Sequence, residues 1–583
     1  MPHSRTWQPG SLIRNRPHLF AFFFFLVSSL VVLRPLAGYF ITHFQGRGDS
    51  WIMIWNFWWF KQAVVALHAS PLFCDYAWWP LGVDLHYHST SPLNSLASVP
   101  LQFFLPLPAV DNLFFLSTFV LSGWAAFGAA YQLTRNTLGS LVAGWIFAFS
   151  PYHFYHRYQL EHLSIQWIAL FLWTFLRWQE RRTPARAVCV AGAYLAIFYA
   201  NIYYGLFSSV LALLFFMNDI FFRDRKTMMR EKLIGWTVIA ASSGTGAAPW
   251  LIPMFRQANQ PGRFKIPAWI NIHQSLDLFS FITPSPHNPL LASWFPLMPL
   301  YDRFTGWENI GYLGFSVMVL ACVGARAREF TRRKFLVLVC ACFLILSLGP
   351  VLHVAGIVTL PGDRPIPMPQ ALLQVMPVIS AARVPARYLA VAMLPLAILA
   401  GMGASRLARE HRVLLAPLLV LVVLEYWNAP MEMTLPPDPE YCRVIAKDPD
   451  DCAVMDLPLK ISTDSSEWWR SADPDERGWL QTLHGKRSLG GPISHTALTR
   501  AHFEYFLASP VLSPLVNDVA AIPDTTAMAA EFRRIKLKYF VLHHSRYQGL
   551  PEGMQDRDLK YILSCPGAEI ILRNEDVILV RTN

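Results

Sequence analysis

Charge is what this chain has least of. Only 15% of its 583 residues are Asp, Glu, Lys or Arg, against about a quarter in soluble domains, which excludes an ordinary soluble protein. Nucleotide loops are missing as well. No G-x-x-x-x-G-K-[ST] sequence occurs, and no G-x-G-x-x-G follows a strand pattern, so the chain offers no recognisable site for a nucleotide. The eight cysteines are scattered without metal spacing. Cys340 and Cys342 lie in an apolar run, and Cys442 and Cys452 would bridge only in an oxidising compartment. Internal repeats and low-complexity segments are absent. The net charge of +11 would suit nucleic acid, but the basic residues stand in short clusters between apolar runs, as in cytoplasmic loops. A nucleic-acid partner is therefore excluded.

What is present is apolar: 54% of the residues are hydrophobic and 14% aromatic. A membrane-spanning helix needs about 20 largely apolar residues. Segments near 18–42, 111–133, 138–152, 163–178, 186–204, 205–222, 233–254, 309–325, 335–357, 385–404 and 413–429 qualify, some of them short. The basic clusters alternate with them. Arg5, Arg14 and Arg16 precede the first; Arg135 follows the second; Arg177, Arg181, Arg182 and Arg186 follow the fourth. Arg223, Arg225, Lys226, Arg230 and Lys232 follow the sixth, Arg326 to Lys334 the eighth, and Arg406, Arg409 and Arg412 the tenth. With the N-terminus cytoplasmic, every cluster falls inside, which predicts about eleven spans, an uncleaved N-terminal anchor and an outside C-terminus.

The expected fold class is thus a polytopic α-helical membrane protein with a C-terminal α/β soluble domain. Residues 1–429 would form the multi-span domain, with a long outer loop at 43–110, and 430–583 the extracytoplasmic domain. In that loop, residues 50–67 carry Trp51, Trp55, Trp58 and Trp59 at helical spacing, which predicts an interfacial helix lying on the outer membrane surface. In the tail, CAVMDLPL, KYFVLHH and EIILRNEDVILVRT read as strands, and EWWRSAD and TALTRAHFEYFLAS as helices. The stretch QTLHGKRSLGGPISH (481–495) reads as a turn-rich loop, structural or ligand-binding.

Polar and titratable residues gather on the predicted outer side, where a shared site is expected. Asp49 follows Gly46 and Gly48, which permit close backbone approach. A carboxylate there suits a general base or a divalent cation, and equally the N-cap of the Trp-rich helix. In SPYHFYHRYQLEH (150–162), a continuous helix would put His153, Arg157 and Glu161 on one face, next to His162. That face would bind a sugar, or form an interfacial belt of aromatic and histidine side chains. No third ligand backs the histidines, so zinc is not expected. Tyr199, Asn201, Tyr203 and Tyr204 offer stacking and hydrogen bonds.

These features resemble the GT-C glycosyltransferases, which include oligosaccharyltransferase catalytic subunits and protein mannosyltransferases. The likeness lies in the architecture and in GDSWIMIWNFWW, WWPLGVDLHYH, FAFSPYHFYHRYQLEHLSIQW and RVPARY. The first outer loop departs from the family in having no DXD or EXD pair, and the chain has no WWDYG-type motif. The resemblance implies a plasma-membrane enzyme that transfers sugar from a polyprenyl-phosphate donor to a glycan, lipid or protein acceptor, with inversion. It matches Asp49 to the catalytic carboxylate, with Glu161 and His162 the next candidates. Arg383 and Arg387, against the positive-inside trend, would hold the leaving phosphate or else snorkel to headgroups. Arg157, His153 and Tyr203 would bind substrate. The rival readings are a transporter or flippase of lipid-linked glycans and a non-catalytic membrane scaffold.

Overall fold

A computed structural model describes residues 16–222, 228–258, 268–294, 308–360, 364–374, 383–459, 476–494, 497–517 and 524–582. Arg5, Arg14, Arg223, Arg225, Lys226 and the EWWRSAD segment lie outside them. The chain forms two compact units. One comprises Met1–Phe40, Asn112–Phe255 and Ile266–Met433; the other comprises Ile41–Asp111, Arg256–Lys265 and Thr434–Asn583. The long loop after the first apolar segment therefore belongs to the same unit as the tail.

Each of the eleven apolar segments contains a helix. In chain order, α1 is Pro17–Val32, α2 Leu107–Thr134 and α3 Thr137–Ala148. Short helices α4 (Pro151–Tyr155) and α5 (Leu160–Leu163) lead into α6 (Gln166–Glu180), α7 (Pro184–Ala200), α8 (Ile202–Met217) and α9 (Met229–Ala258). Then follow α10 (Phe315–Arg326), α11 (Arg333–Ser347), α12 (Leu389–Glu410) and α13 (Arg412–Glu425). Among the described residues, four stretches are long and apolar enough to cross a membrane: Leu107–Thr134, Ile202–Phe222, Met229–Ala258 and Pro385–Glu410. Local chemistry sets the helix starts. Asn136 accepts from Gly139 N to open α3, and Thr183, followed by Pro184, accepts from Arg186 N to open α7.

Helix α12 is the axis of this unit. Every residue from Leu389 to Ser405 is buried. Glycines let neighbouring backbones touch it. A Cβ on Gly403 would lie 1.9 Å from the Leu320 carbonyl oxygen, and one on Gly324 1.9 Å from that of Leu399. Gly401 meets the Gly139 carbonyl in the same way, at 2.3 Å. Small residues at such crossings replace the hydrophobic drive that lipid cannot supply.

Part of the expected loop charge is used inside the protein. Buried Asp219 accepts from Arg182 at 2.9 and 2.5 Å, from Gln179 at 3.1 Å and from the Trp236 indole at 3.1 Å, while Lys232 reaches the Asp219 carbonyl at 2.8 Å. A buried carboxylate is tolerated when its hydrogen-bonding capacity is filled in this way.

The second unit is built on a five-stranded sheet. Its strands are β1 (Ala453–Leu457), β2 (Arg487–Ser488), β3 (Leu537–His543), β4 (Glu569–Arg573) and β5 (Val577–Arg581), in the order β2-β1-β3-β5-β4. Strand β1 runs parallel to both β2 and β3, and β5 is antiparallel to β3 and β4. Helices α14 (Glu440–Ala446), α15 (Arg477–His484), α16 (His544–Tyr547) and α17 (Met554–Leu563) accompany it. Cys442 and Cys452 are buried free thiols rather than a bridge.

The Trp-rich helix, Ser50–Lys61, forms as expected but is not laid out on a surface. Trp51, Trp55 and Trp59 are buried and pack in clusters with tail residues such as Trp479, Leu480, Leu489 and Phe503. The Trp55 indole donates to Gln481 Oε1 at 2.8 Å and the Trp59 indole to the Pro71 carbonyl at 3.0 Å. Indole N–H groups that find protein acceptors sit in a core as readily as at headgroups, so the interfacial placement is corrected to a structural one.

Candidate functional site

In the helical unit, polar residues converge where α4, α5 and α8 meet the start of α12. The continuous helix expected over 153–161 does not form. Helix α4 ends at Tyr155, a single 3-10 turn spans His156–Tyr158, and Gln159 is extended (φ −134°, ψ 81°) before α5. His153, Arg157 and Glu161 therefore share no helical face. His153 is fully buried, its ring nitrogens on the Ala148 and Leu163 carbonyls at 2.6 and 2.8 Å, and neither nitrogen is left for a ligand. The Arg157 guanidinium lies over the Phe154 and Tyr158 rings.

Glu161 and His162 do come together: His162 Nε2 is 3.5 Å from Glu161 Oε1, and both are buried. Asn201 does two jobs. Its Oδ1 accepts from Tyr204 N, starting α8, and its Nδ2 donates to His162 Nδ1 at 2.7 Å. The ring proton is thereby left on Nε2, facing Glu161. Tyr204 OH donates to the His162 carbonyl at 2.9 Å and Tyr152 OH lies 3.1 Å from it, so a chain of hydrogen bonds sets the ring. Burial, reinforced by the charges of Arg387 and His156 and more weakly by that of Arg383, pushes the His162 pKa well below its ordinary value. His162 is neutral, in a cationic field.

The source of that field was only half legible in the sequence. Arg387 forms a buried fork with Glu308: Nε donates to Oε2 at 3.2 Å and Nη2 to Oε1. His156 Nε2 adds a contact to Glu308 Oε2 at 3.3 Å, and its Nδ1 rests on the Tyr152 carbonyl at 2.8 Å. Burial alone would raise the Glu308 pKa, but Arg387 and His156 outweigh it and hold the carboxyl well below the usual range. Glu308, just before α10 in GWENIGY, escaped the sequence reading. The one clue was an acidic residue at the mouth of one apolar segment opposing an arginine at the mouth of another. Tyr203 lies against the guanidinium, 5.3 Å from its centroid, and 5.9 Å from the His162 ring. Arg383, four residues before Arg387 and half-buried, has a buried Nε without a hydrogen bond.

Asp49 belongs to the other unit. It occupies the N-cap position of the Trp-rich helix, where its side chain makes no cap hydrogen bond and its carbonyl accepts from Met53 N at 3.1 Å. Ser50 Oγ instead closes the turn onto Arg47. Gly46, at φ +55°, is required here, because a Cβ would meet the Thr434 side chain at 2.3 Å. In the same unit Asp84 pairs with His86 at 2.7 Å, and His88 is buried between Asn56 and Ser494. Among the described residues, no group of three or more His, Cys, Asp or Glu side chains is placed to hold a metal ion.

A family model described as a domain of unknown function, DUF6311, matches residues 18–427. The chain belongs to the DUF6311 family. No curated protein matches it. Among solved structures, this DUF6311 chain is similar to the arabinofuranosyltransferase AftD from Mycobacteria, with 14% identity and a TM-score of 0.56, over 97% of this chain and 40% of that one. It is also similar to the Archaeoglobus fulgidus oligosaccharyltransferase tethered to an acceptor peptide, with 12% identity and a TM-score of 0.50, over 94% of this chain and 72% of that one. The DUF6311 chain thus spans well under half the length of AftD. Its fold is that of the GT-C membrane glycosyltransferases, and its apolar helices mark a membrane location.

Proposed function

We propose that this DUF6311 protein is an inverting membrane glycosyltransferase that moves a sugar from a polyprenyl-phosphate donor to an extracytoplasmic glycan, lipid or protein acceptor. The observation that carries the reading, in a chain of GT-C fold, is the pair of arginines before α12. Arg387 is fixed by Glu308, while Arg383 keeps a buried Nε without a hydrogen bond. A buried guanidinium N–H left without an acceptor is costly, and an anion would complete it. A phosphate ester would supply that anion.

In the reaction, the acceptor hydroxyl oxygen attacks the anomeric carbon as the bond to the phosphate oxygen breaks. The electron pair leaves with the phosphate, where Arg383 stabilises it, and the hydroxyl proton passes to Asp49. Arg387, Glu308 and His156 position this end of α12, Tyr203 stacks on the sugar, and Glu161 orients His162. Asp49 serves as base without a metal pair, although a divalent cation is compatible with its carboxylate. The frame is the arrangement of about eleven spans in a plasma membrane, with the N-terminus cytoplasmic and the tail outside.

The test is transfer by purified protein in lipid from a panel of polyprenyl-phosphate sugars. Asp49→Asn is expected to abolish transfer in a folded protein, and Arg383→Ala to lower it by about 10²-fold, the order found for loss of one charge-stabilising donor. Equal transfer by Asp49→Asn would remove Asp49 as the base. No transfer from any donor by folded wild type would remove the enzyme reading in favour of transport or scaffolding.

A further inference from the structure

A groove on the flank of the helical unit takes no part in the transfer reading. Its walls come from α6, α7, α8 and α9, with Phe171, Tyr194, Leu213, Phe216, Trp236 and Leu251 among them, and it holds about 490 Å³. Among the described residues, none of its lining is charged, and none belongs to α4, α5 or α12, which frame the polar site. Its hydroxyls are largely spent on the protein. Tyr194 OH lies 2.7 Å from Ser209 Oγ, which donates to the Gly205 carbonyl at 3.1 Å. Ser243 Oγ is buried without a partner, but a turn toward the carbonyl four residues back would satisfy it. The groove therefore asks for hydrocarbon, not for a polar ligand.

The bilayer is the source at hand. Both Ile202–Phe222 and Met229–Ala258 are long and apolar enough to cross a membrane. Only 22% of the apolar core of Met229–Ala258 is buried in the protein, against 100% for Pro385–Glu410, so α9 turns most of its surface to lipid. At the mouth of the groove Leu213 and Leu233 are exposed, and a Cβ on Gly244 would meet nothing within 4 Å. The α9 lining runs from Leu233 to Leu251, about 27 Å at 1.5 Å per residue. Over that length, 490 Å³ leaves a mean section of about 18 Å², comparable with one hydrocarbon chain whose carbons touch their neighbours at ~4 Å. A helix about 10 Å across does not fit. An empty apolar slot forfeits the dispersion contacts of its walls, and a lipid chain restores them. Exposed Arg230 stands three residues before Leu233, on the same face of α9. A lipid phosphate there would meet a guanidinium.

We propose that this groove holds one acyl chain of a bilayer phospholipid, with the headgroup phosphate at Arg230. The site goes beyond the transfer reading and is measured with no sugar donor present.

The experiment places the full chain in phosphatidylcholine nanodiscs containing phosphatidylglycerol with a photoreactive diazirine on its acyl chain. Adducts are mapped by peptide mass spectrometry after illumination. Those on Leu213, Leu233 and Ala240 are expected at about tenfold or more the yield on Val420 and Leu421, which are exposed on α13. Gly244→Trp, which fills the groove, should bring them down to the α13 level in a folded protein, whereas Gly244→Ala should not. Ala240→Phe takes its place if Gly244→Trp does not fold. Arg230→Gln should lower the yield about fivefold, as for one basic residue at a lipid surface; an unchanged yield would overturn the headgroup placement. Equal yields on α9 and α13, or a yield that Gly244→Trp leaves unchanged, would overturn the proposal. Displacement of the probe by a neutral polyprenol but not by excess phospholipid would also overturn it, as would a Gly244→Cys protein that links to a second copy through that position.

Discussion

Both units close off buried carboxylates and leave other buried polar groups open. In the helical unit two carboxylates are closed. Glu308 is filled by Arg387 and His156, and Asp219 by Arg182, Gln179 and Trp236. In the sheet unit Asp558 is filled by Tyr547 and Arg557, whereas the buried Tyr441 hydroxyl has no hydrogen bond among the described residues. A helix buried among helices leaves no nearby water, so an uncompensated charge there costs most. By this comparison, partly unfilled groups such as Arg383 in one unit and Tyr441 in the other are candidates for ligand work.

The largest expected effect breaks the closed set. Glu308→Ala strands Arg387 in the core and should cost about 3–5 kcal/mol, read as a fall in Tm of the detergent-solubilised protein. Glu308→Gln, which keeps the shape, should cost less. Equal and small losses in both variants would show that the fork adds nothing to the fold.

Next is the axis that carries the arginines. Gly403→Val drives a side chain into the Leu320 carbonyl, so the loss should reach the upper part of the ~1–3 kcal/mol range for overpacking. It should appear as lower folded yield and Tm. Gly244→Ala, where a Cβ meets nothing within 4 Å, is the matched control and should be near neutral.

The smallest effect is acid sensitivity of the sheet unit. Burial would raise the Asp456 pKa, but the His543 hydrogen bond and charge outweigh it and hold it at about 2, below an unfolded value of 3.8. A depressed carboxylate stabilises fully above the unfolded pKa and loses that stabilisation as pH falls through the folded one. About 2 kcal/mol should therefore vanish between pH 4 and pH 2. His484, pushed down to about 4 chiefly by burial, gives an earlier loss between pH 6.5 and 4, because the unfolded chain takes up the proton first. Hydrogen exchange in β1 and β3 should show both steps, and Asp456→Asn should remove only the lower one.

Much of this architecture was legible as pattern. Each apolar segment holds a helix, and CAVMDLPL, KYFVLHH and EIILRNEDVILVRT hold four of the five strands of the tail sheet, because period and length are local properties of a chain; the two-residue β2 falls in the stretch 481–495 that reads as a loop. The Glu161–His162 pair and the setting of Tyr203 beside Arg387 also follow from residues the sequence singled out. The helix over 153–161 was misread because helical spacing says nothing about the extended backbone at Gln159. The Trp-rich helix was assigned to a lipid interface because indoles suit headgroups and protein cores alike.

By itself, then, the sequence determined most of the helices and strands, that the chain belongs to a membrane, and which side chains are chemically unusual. Only the tertiary structure decided that Glu308 occupies Arg387 while Arg383 keeps an unfilled Nε, that the tryptophans face the tail, and that Asp456 pairs with His543. Periodicity is written over neighbouring residues, whereas a charge finds its partner through space, 79 residues away in the case of Arg387.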